Sequence, residues 1–380
     1  MPTFNYDSGI FDEDIQFLSG LGDTNISSPA NDEVLAYQDG LWVNQASSGG
    51  GVPIYSTAER DALTGVANFT VISNSTTGTL QMYNNGVWTD ITSTILSFLM
   101  DYLIIAGGGA GAGNSSVAPG GGGGAGGYRT TWAGASGTEL SGANSTPESQ
   151  KTIELGVNYT IQVGGGGLFG FGTYNGNPGA DSVFDTIISA GGGGGATNVG
   201  STSTSGGSGG GARNTGGTGT ANQGFNGGNG GSSPAGAGGG GGAGQAGQNK
   251  SSNNAGDGGD GLQSSITGTP TYRAGGGGGG IQGPDPKFPG TGGLGGGGDA
   301  NNQAGTDGLG GGGGGNSGSG TAGRGGNGVI ILRYPNTYTI SAVGFTGLTM
   351  SAETAVGSDK YVEITATTGG VTGTGSVVWN

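Results

Sequence analysis

The chain has 380 residues and contains no cysteine and no histidine. The first absence excludes a disulfide framework and thiolate metal sites. The second removes the commonest general base and the commonest metal ligand. Charge is also scarce: Asp, Glu, Lys and Arg make up 9% of residues, and 25 acidic residues face ten basic ones. The net charge of −15 argues against a nucleic-acid or anionic-membrane partner. Long apolar runs are missing too. The most apolar stretch, ILSFLMDYLIIA at 95–106, carries Asp101 and is too short to span a bilayer. The N-terminus, MPTFNYDSGIFDEDI, lacks the basic start and apolar centre of a secretory signal. Together these features predict a soluble product made in a cytoplasm and not exported by the usual route.

What the chain has in excess is glycine, 101 residues, most of them between 101 and 335. Glycine loses more backbone freedom on folding than any other residue, and such a composition ordinarily marks disorder. Two features oppose that reading. Disordered chains are usually rich in charge, and this one is not. The glycines also gather in runs, and β-branched apolar segments lead straight into them, as in YTIQVGGGG (159–167) and SVFDTIISAGGGGG (182–195). The apolar run that ends at 106 and GVIILRYP (328–335) bracket the glycine region; both read as buried strands that clasp it. The runs lack the every-third-residue glycine and abundant proline that collagen needs.

Glycine runs of this kind have an ordered option. An extended threefold helix of the polyproline II type makes no internal hydrogen bonds. Without side chains such helices approach closely enough to satisfy one another's backbone groups, as buried groups must be. Each bond returns only about 1 kcal/mol net against about 1–2 kcal/mol of backbone entropy per residue. Dense packing and the clasping strands must therefore supply the rest. The expected product is a stiff framework in which only the loops carry side-chain identity. If the rods alternate from residue 106, one end gathers 114–118, 168–181, 196–205, 232–235, 281–289 and 316–322. Recognition residues are then Phe169, Phe171, Tyr174 and Asn175 in one loop and Asp285, Lys287 and Phe288 in another. Aromatic side chains suit stacking on sugars or protein loops, and prolines stiffen IQGPDPKFP.

The N-terminal part is built differently. Tyr37-x-x-Gly40-x-Trp42 recurs as Tyr83-x-x-Gly86-x-Trp88. Each copy reads as a hairpin with a tight turn, and the four aromatics read as hairpin packing. A lone hairpin is marginal in water, so each copy needs a partner surface. STAERDAL (56–63) has the spacing of a capped helix. The fold class expected is mainly β and irregular. An arm with a first hairpin occupies 1–48, a second hairpin module 49–101, the glycine-rich rod bundle 102–335 and a small β module 336–380.

Chemistry is harder to place. Asp257 and Asp260 in GDGGDGLQ offer too few oxygen ligands for calcium. Formal G-x-G-x-x-G matches lack the strand–helix context of a nucleotide site. No catalytic residues, metal or cofactor are assigned, and the protein is not expected to be an enzyme.

DYLIIAGGGAGAG, GGGGGAGGYRT, YTIQVGGGG, DTIISAGGGGG and GGNGVIILRY occur in that order over roughly 102–335. They resemble the glycine-rich domain of phage tail-fibre and tail-tip proteins, particularly those of marine phages. That group is similar in design to distal adhesins in which packed polyglycine II rods carry receptor-contacting loops. The hairpins resemble elements of phage fibre proteins, which are often trimeric. The resemblance implies a virion tail fibre, assembled in the host cytoplasm and homotrimeric as such fibres often are. Its N-terminus would join other tail or capsid proteins, and it would bind a host surface glycan or outer-membrane protein. The alternatives are a capsid- or neck-decorating fibre with no primary receptor role, and an ice-binding protein.

Overall fold

The structure is a computed structural model. It describes residues 53–68, 70–90, 96–113, 118–169, 175–197, 203–232, 235–282, 287–317 and 320–380, with the backbone of the strands at 24–25, 33–38 and 41–46. The chain is mainly β and divides into two units, Met1–Ile95 and Leu96–Asn380.

In the first unit the repeated motif forms two hairpins of equal register. Tyr37 pairs with Trp42 across Glu33–Gln38 and Leu41–Ala46. Tyr83 pairs with Trp88 across Thr79–Asn84 and Val87–Asp90. In the second hairpin the Tyr83 and Trp88 rings lie 5.2 Å apart at 56°, and Asn85 and Gly86 both take positive φ at the turn. The expected helix spans Thr57–Asp61, with Ser56 and Glu59 forming a complete capping box. It lies over the sheet through Arg60, whose Nη1 donates to Gln81 Oε1 at 2.8 Å.

In the second unit, Ser97–Ile105 pairs with Val329–Pro335, placing Ile105 opposite Val329 and Asp101 opposite Arg333. This is the clasp that the sequence suggests. Alternation along both strands sends residues to two different cores. Phe98, Met100, Tyr102, Ile104, Ile330, Leu332 and Tyr334 join one cluster, which closes against Asn158–Val163 and Gly373–Trp379. At its centre Trp379 is fully buried and meets Tyr159, Tyr334 and Phe184 edge-on at 5.7, 5.8 and 6.3 Å. Leu103, Ile105, Val329 and Ile331 point the other way, onto Ala125, Tyr128, Ala243, Ile266 and Ala274 at the foot of the glycine region. One sheet is thus covered on both faces, which is why its strands read as continuous apolar runs.

The C-terminal segment does not stand apart. Asp359–Ala366 pairs with Val329–Pro335, and Gly373–Trp379 pairs with Asn158–Val163. Residues 336–380 complete both layers of the base and belong to the same compact unit as the glycine region.

Above this base the glycine segments run back and forth as extended rods whose hydrogen bonds repeat every three residues. The segment 120–127 shows the pattern in full. Gly120, Gly123 and Gly126 donate to Asn316, Gly313 and Gly310; Gly121, Gly124 and Gly127 donate to Ala196, Gly193 and Ala190; Gly122 and Ala125 donate to Gly238 and Gly241. The carbonyls of 120–125 accept from Gly280 and Gly277, from Ala112 and Gly109, and from Gly211 and Ser208. One rod therefore has six different neighbours, three that accept from it and three that donate to it. A β-strand, with its period of two, reaches only two neighbours through hydrogen bonds.

Such packing leaves no room for side chains. A Cβ built on Gly122, Gly123 or Gly240 would fall 1.9–2.1 Å from a neighbouring carbonyl oxygen. At the rim, where a rod lacks a neighbour, side chains supply the acceptor instead. Asp181 accepts from Gly191 N–H, Asn229 from Gly216, Asn226 from Gly219, Asp257 from Thr291, Asp260 from Leu294 and Asp299 from Gly292, all at 2.7–2.9 Å.

Candidate functional site

Hydrogen-bond register fixes the direction of each rod. Segment 106–112 ascends from the base. Segments 190–196, 274–280 and 310–316 run antiparallel to the descending 120–127 and so also ascend. Their upper ends lead into the connections that stand away from the base. Gly176–Ala180, expected as loop, is a rod bonded to Gly107 and Ala110. The turns at 213–215, 251–254 and 299–303 join the same end.

The expected recognition residues are placed as follows. Phe169 forms a bridge to Gly176, and its ring covers Gly113, where an added Cβ would sit 2.2 Å from the ring edge. Phe169 thus caps a rod. Asn175 accepts from the Thr197 N–H at 3.2 Å. Lys287 and Phe288 are exposed, Phe288 by 56%. The Phe288 backbone is held at both groups: its N–H donates to Asn253 O at 3.1 Å and its carbonyl accepts from Ala255 N–H at 2.9 Å. A rigid main chain therefore presents an outward-facing aromatic ring. Phe171, Tyr174 and Asp285 lie outside the described residues.

Two residues at this end were not singled out from sequence. Arg213 follows the rod that ends at Ala212, beside Gly230. Lys250 lays its side-chain stem along Gly231 and Gly236, where an added Cβ would be 3.2 and 2.9 Å from it. Their signal was faint: isolated basic residues among Asn, Ser and Gly.

At the base a polar groove of about 490 Å³ is lined by Arg129, Ser145, Thr146, Glu148, Ala221, Asn222 and Gln223. Its charges are engaged with each other. Arg129 Nε and Nη2 donate to Glu148 at 2.7 and 2.6 Å, and Tyr102 Oη donates to Glu148 at 2.7 Å. Burial, and then Glu148, push the Tyr102 hydroxyl well above its ordinary range, while Glu148 raises Arg129. This arrangement holds the 148 segment to the base. Among the described residues no group of three His, Cys, Asp or Glu stands close enough to hold a metal ion.

The sequence profile of a family described as a glycine-rich domain matches residues 85–335. The chain belongs to this glycine-rich domain family. The matched span takes in the clasp, the rods and the second hairpin's turn, and it leaves out most of the first unit and the C-terminal strands. No curated protein matches the chain.

Proposed function

We propose that this protein is a phage virion tail-fibre protein that adheres to the host surface through the connections at the free end of its glycine bundle. The observation that carries the reading is the asymmetry of the second unit. Its rods are buried by an apolar base at one end, and at the other they present side chains on a framework with almost none of its own. Binding residues commonly sit on loops held by a rigid scaffold, and Phe288 on its pinned backbone is a ready contact. The threefold hydrogen-bond period and the six neighbours per rod support assignment of the bundle to the polyglycine II type. On this reading the first unit, with its acidic arm and repeated hairpins, joins other tail or capsid proteins, and the fibre is a homotrimer in the assembled virion. The role is adhesion rather than catalysis.

The test is adhesion of labelled full-length protein to a panel of intact bacterial cells, with Phe288→Ala in parallel. Truncation after Pro335 would be uninformative, because it removes Trp379 from the core. Saturable binding that weakens in the variant supports the proposal. Absence of binding to any cell that the parent virus infects would favour a decorating fibre instead.

A further inference from the structure

The groove beside Arg129 is assembled from separate stretches of chain fixed to one strand, Tyr128–Thr130. Tyr128 N–H donates to Gln223 O at 3.0 Å, and Thr130 O accepts from Glu148 N–H at 2.8 Å. The 221–223 turn and the 145–148 segment are thus two walls, each tied by its backbone to a neighbour of Arg129. Both are braced within themselves. Gln223 N–H donates to Thr220 O at 3.0 Å, and Ser145 N–H to Gly142 O at 3.2 Å. Arg129 Nη1 donates to Ile188 O at 2.9 Å, which holds the guanidinium from a further side. A groove built this way is already in place before a ligand arrives, so binding orders little.

These bonds do not exhaust its polar groups. A guanidinium carries five N–H donors, and Arg129 uses three, two on Glu148 and one on Ile188. A carboxylate offers about four acceptor positions. Glu148 fills three, two from Arg129 and one from Tyr102, and its Oε1 takes only one of them. Gln223 turns its Oε1 to Ala190 N–H at 2.8 Å. Among the described residues its amide nitrogen and the side chains of Thr146 and Asn222 make no hydrogen bond. Donors and acceptors are therefore both open around one space. Its charge is cancelled from within: Arg129 and Glu148, side chains 24% and 28% exposed, neutralise each other, and no other ionisable residue is in the lining.

We infer that this groove binds a neutral sugar, one or two hexose residues of a glycan. Its volume of about 490 Å³ falls within the roughly 300–1,000 Å³ of small-ligand sites. Each hydroxyl of a sugar ring both donates and accepts. Neighbouring hydroxyls match the paired planar atoms of a guanidinium, a carboxylate or an amide. Ala221, exposed in the lining, offers a methyl group to the C–H face of the ring. A charged ligand fits worse. A carboxylate would meet Glu148 and an amine would meet Arg129, and either would disturb a largely buried pair, which is costly to break. The groove lies at the base, away from the free-end connections, so the inference does not rest on the adhesion reading.

The test measures binding of the full chain to an array of neutral glycans built from glucose, galactose, mannose and their N-acetylated forms. Glycans bearing glucuronate or sialate are the anionic controls, and calorimetry follows each hit. Three variants are compared after circular dichroism and thermal unfolding have shown a native fold. Ala221→Trp fills the groove from an exposed position. Asn222→Gly removes an amide at a residue with φ of 60°, where glycine is unstrained. Phe288→Ala alters the free end alone. Neutral-glycan binding is expected to fall at least tenfold in Ala221→Trp. It should fall about fivefold in Asn222→Gly, as for one lost hydrogen bond, and stay unchanged in Phe288→Ala. It should also change less than about twofold between about 50 and about 500 mM salt, since the ligand brings no charge to screen. Absence of binding to every neutral glycan, equal or tighter binding to the anionic ones, binding retained by Ala221→Trp, or binding lost in Phe288→Ala would each overturn the inference. The same proteins are applied to cells. Glycan binding in the groove without adhesion to any cell would sink the adhesion reading and leave the groove standing. Adhesion by a protein that binds no neutral glycan would do the reverse.

Discussion

Replacing Gly123 with alanine adds one methyl group to the most enclosed rod, and the structure sets the consequence. The new Cβ would sit 2.1 Å from Gly109 O and 2.8 Å from the Ala110 carbonyl carbon. A carbon–oxygen contact relaxes near 3.3 Å, so the two rods must part by about 1.2 Å. Between them run Ala106→Gly127, Gly109→Gly124 and Ala112→Gly121, at 3.1, 2.8 and 2.9 Å. Stretching each to about 4 Å ends it as a hydrogen bond, and each buried group left without a partner costs about 1–3 kcal/mol. Even at about 1 kcal/mol for each of the three bonds the expected loss is at least about 3 kcal/mol, at or above the top of the usual range for a single added methyl. Ala125 in the same rod is tolerated because its methyl enters the apolar foot beside Leu103 and Ile105. The control is Gly231→Ala, where the nearest atom is the flexible Lys250 stem at 3.2 Å; a change under about 1 kcal/mol is expected. Urea unfolding of the full chain, followed by near-ultraviolet circular dichroism and by calorimetry, reads both. A Gly123→Ala protein within 1 kcal/mol of the parent would refute the rod-contact argument.

Trp379→Ala empties the centre of the base and is expected to cost about 3–5 kcal/mol, seen as a lower thermal midpoint for the second unit. Hydrogen exchange should then show the rods losing protection together with the base, because the clasp sheet serves both. Asp307 accepts from Arg324 at 2.8 and 2.7 Å and from Asn327 N–H at 2.8 Å. These contacts, Arg324 foremost, hold its carboxyl below the usual aspartate value. Its contribution to stability is therefore present above about pH 4 and is lost as pH falls through the lowered value. Asp307→Asn should flatten that part of the stability–pH curve, and an unchanged acid limb would count against the assignment. Arg333 stacks 3.9 Å above the Trp132 ring and donates to Asp359 at 2.9 Å. Arg333→Lys should lose the stacking and lower the midpoint even though the charge is kept, and it should shift Trp132 fluorescence.

Much of this was legible in the sequence because the strands announce themselves. The apolar runs at 97–105 and 329–335 and the twin Tyr-x-x-Gly-x-Trp motifs carry period-two patterns that fold locally as they read. The rods were inferable as a class, since runs of glycine with few charges have little other ordered use. Their neighbours were not, because a glycine carries no side chain to say which of six segments it will touch. The tail at 336–380 reads as a separate module from sequence because its pairing with residues 158–163 and 329–335 spans long stretches of chain that no local pattern reports. Gly176–Ala180 reads as loop for a related reason: a short rod of mixed Gly, Asn and Pro looks like a turn until its neighbours are known.

The Asn and Asp acceptors at the rim do more than complete hydrogen bonds. An array in which every member bonds to six others has no inherent boundary, and in two dimensions it would go on recruiting glycine-rich chain as a growing crystal does. By turning a carboxylate or amide oxygen onto the outermost N–H groups, the protein poisons its own growth faces. Its width is therefore written in a handful of polar residues, and a variant stripped of them would be expected to nucleate fibres rather than simply unfold.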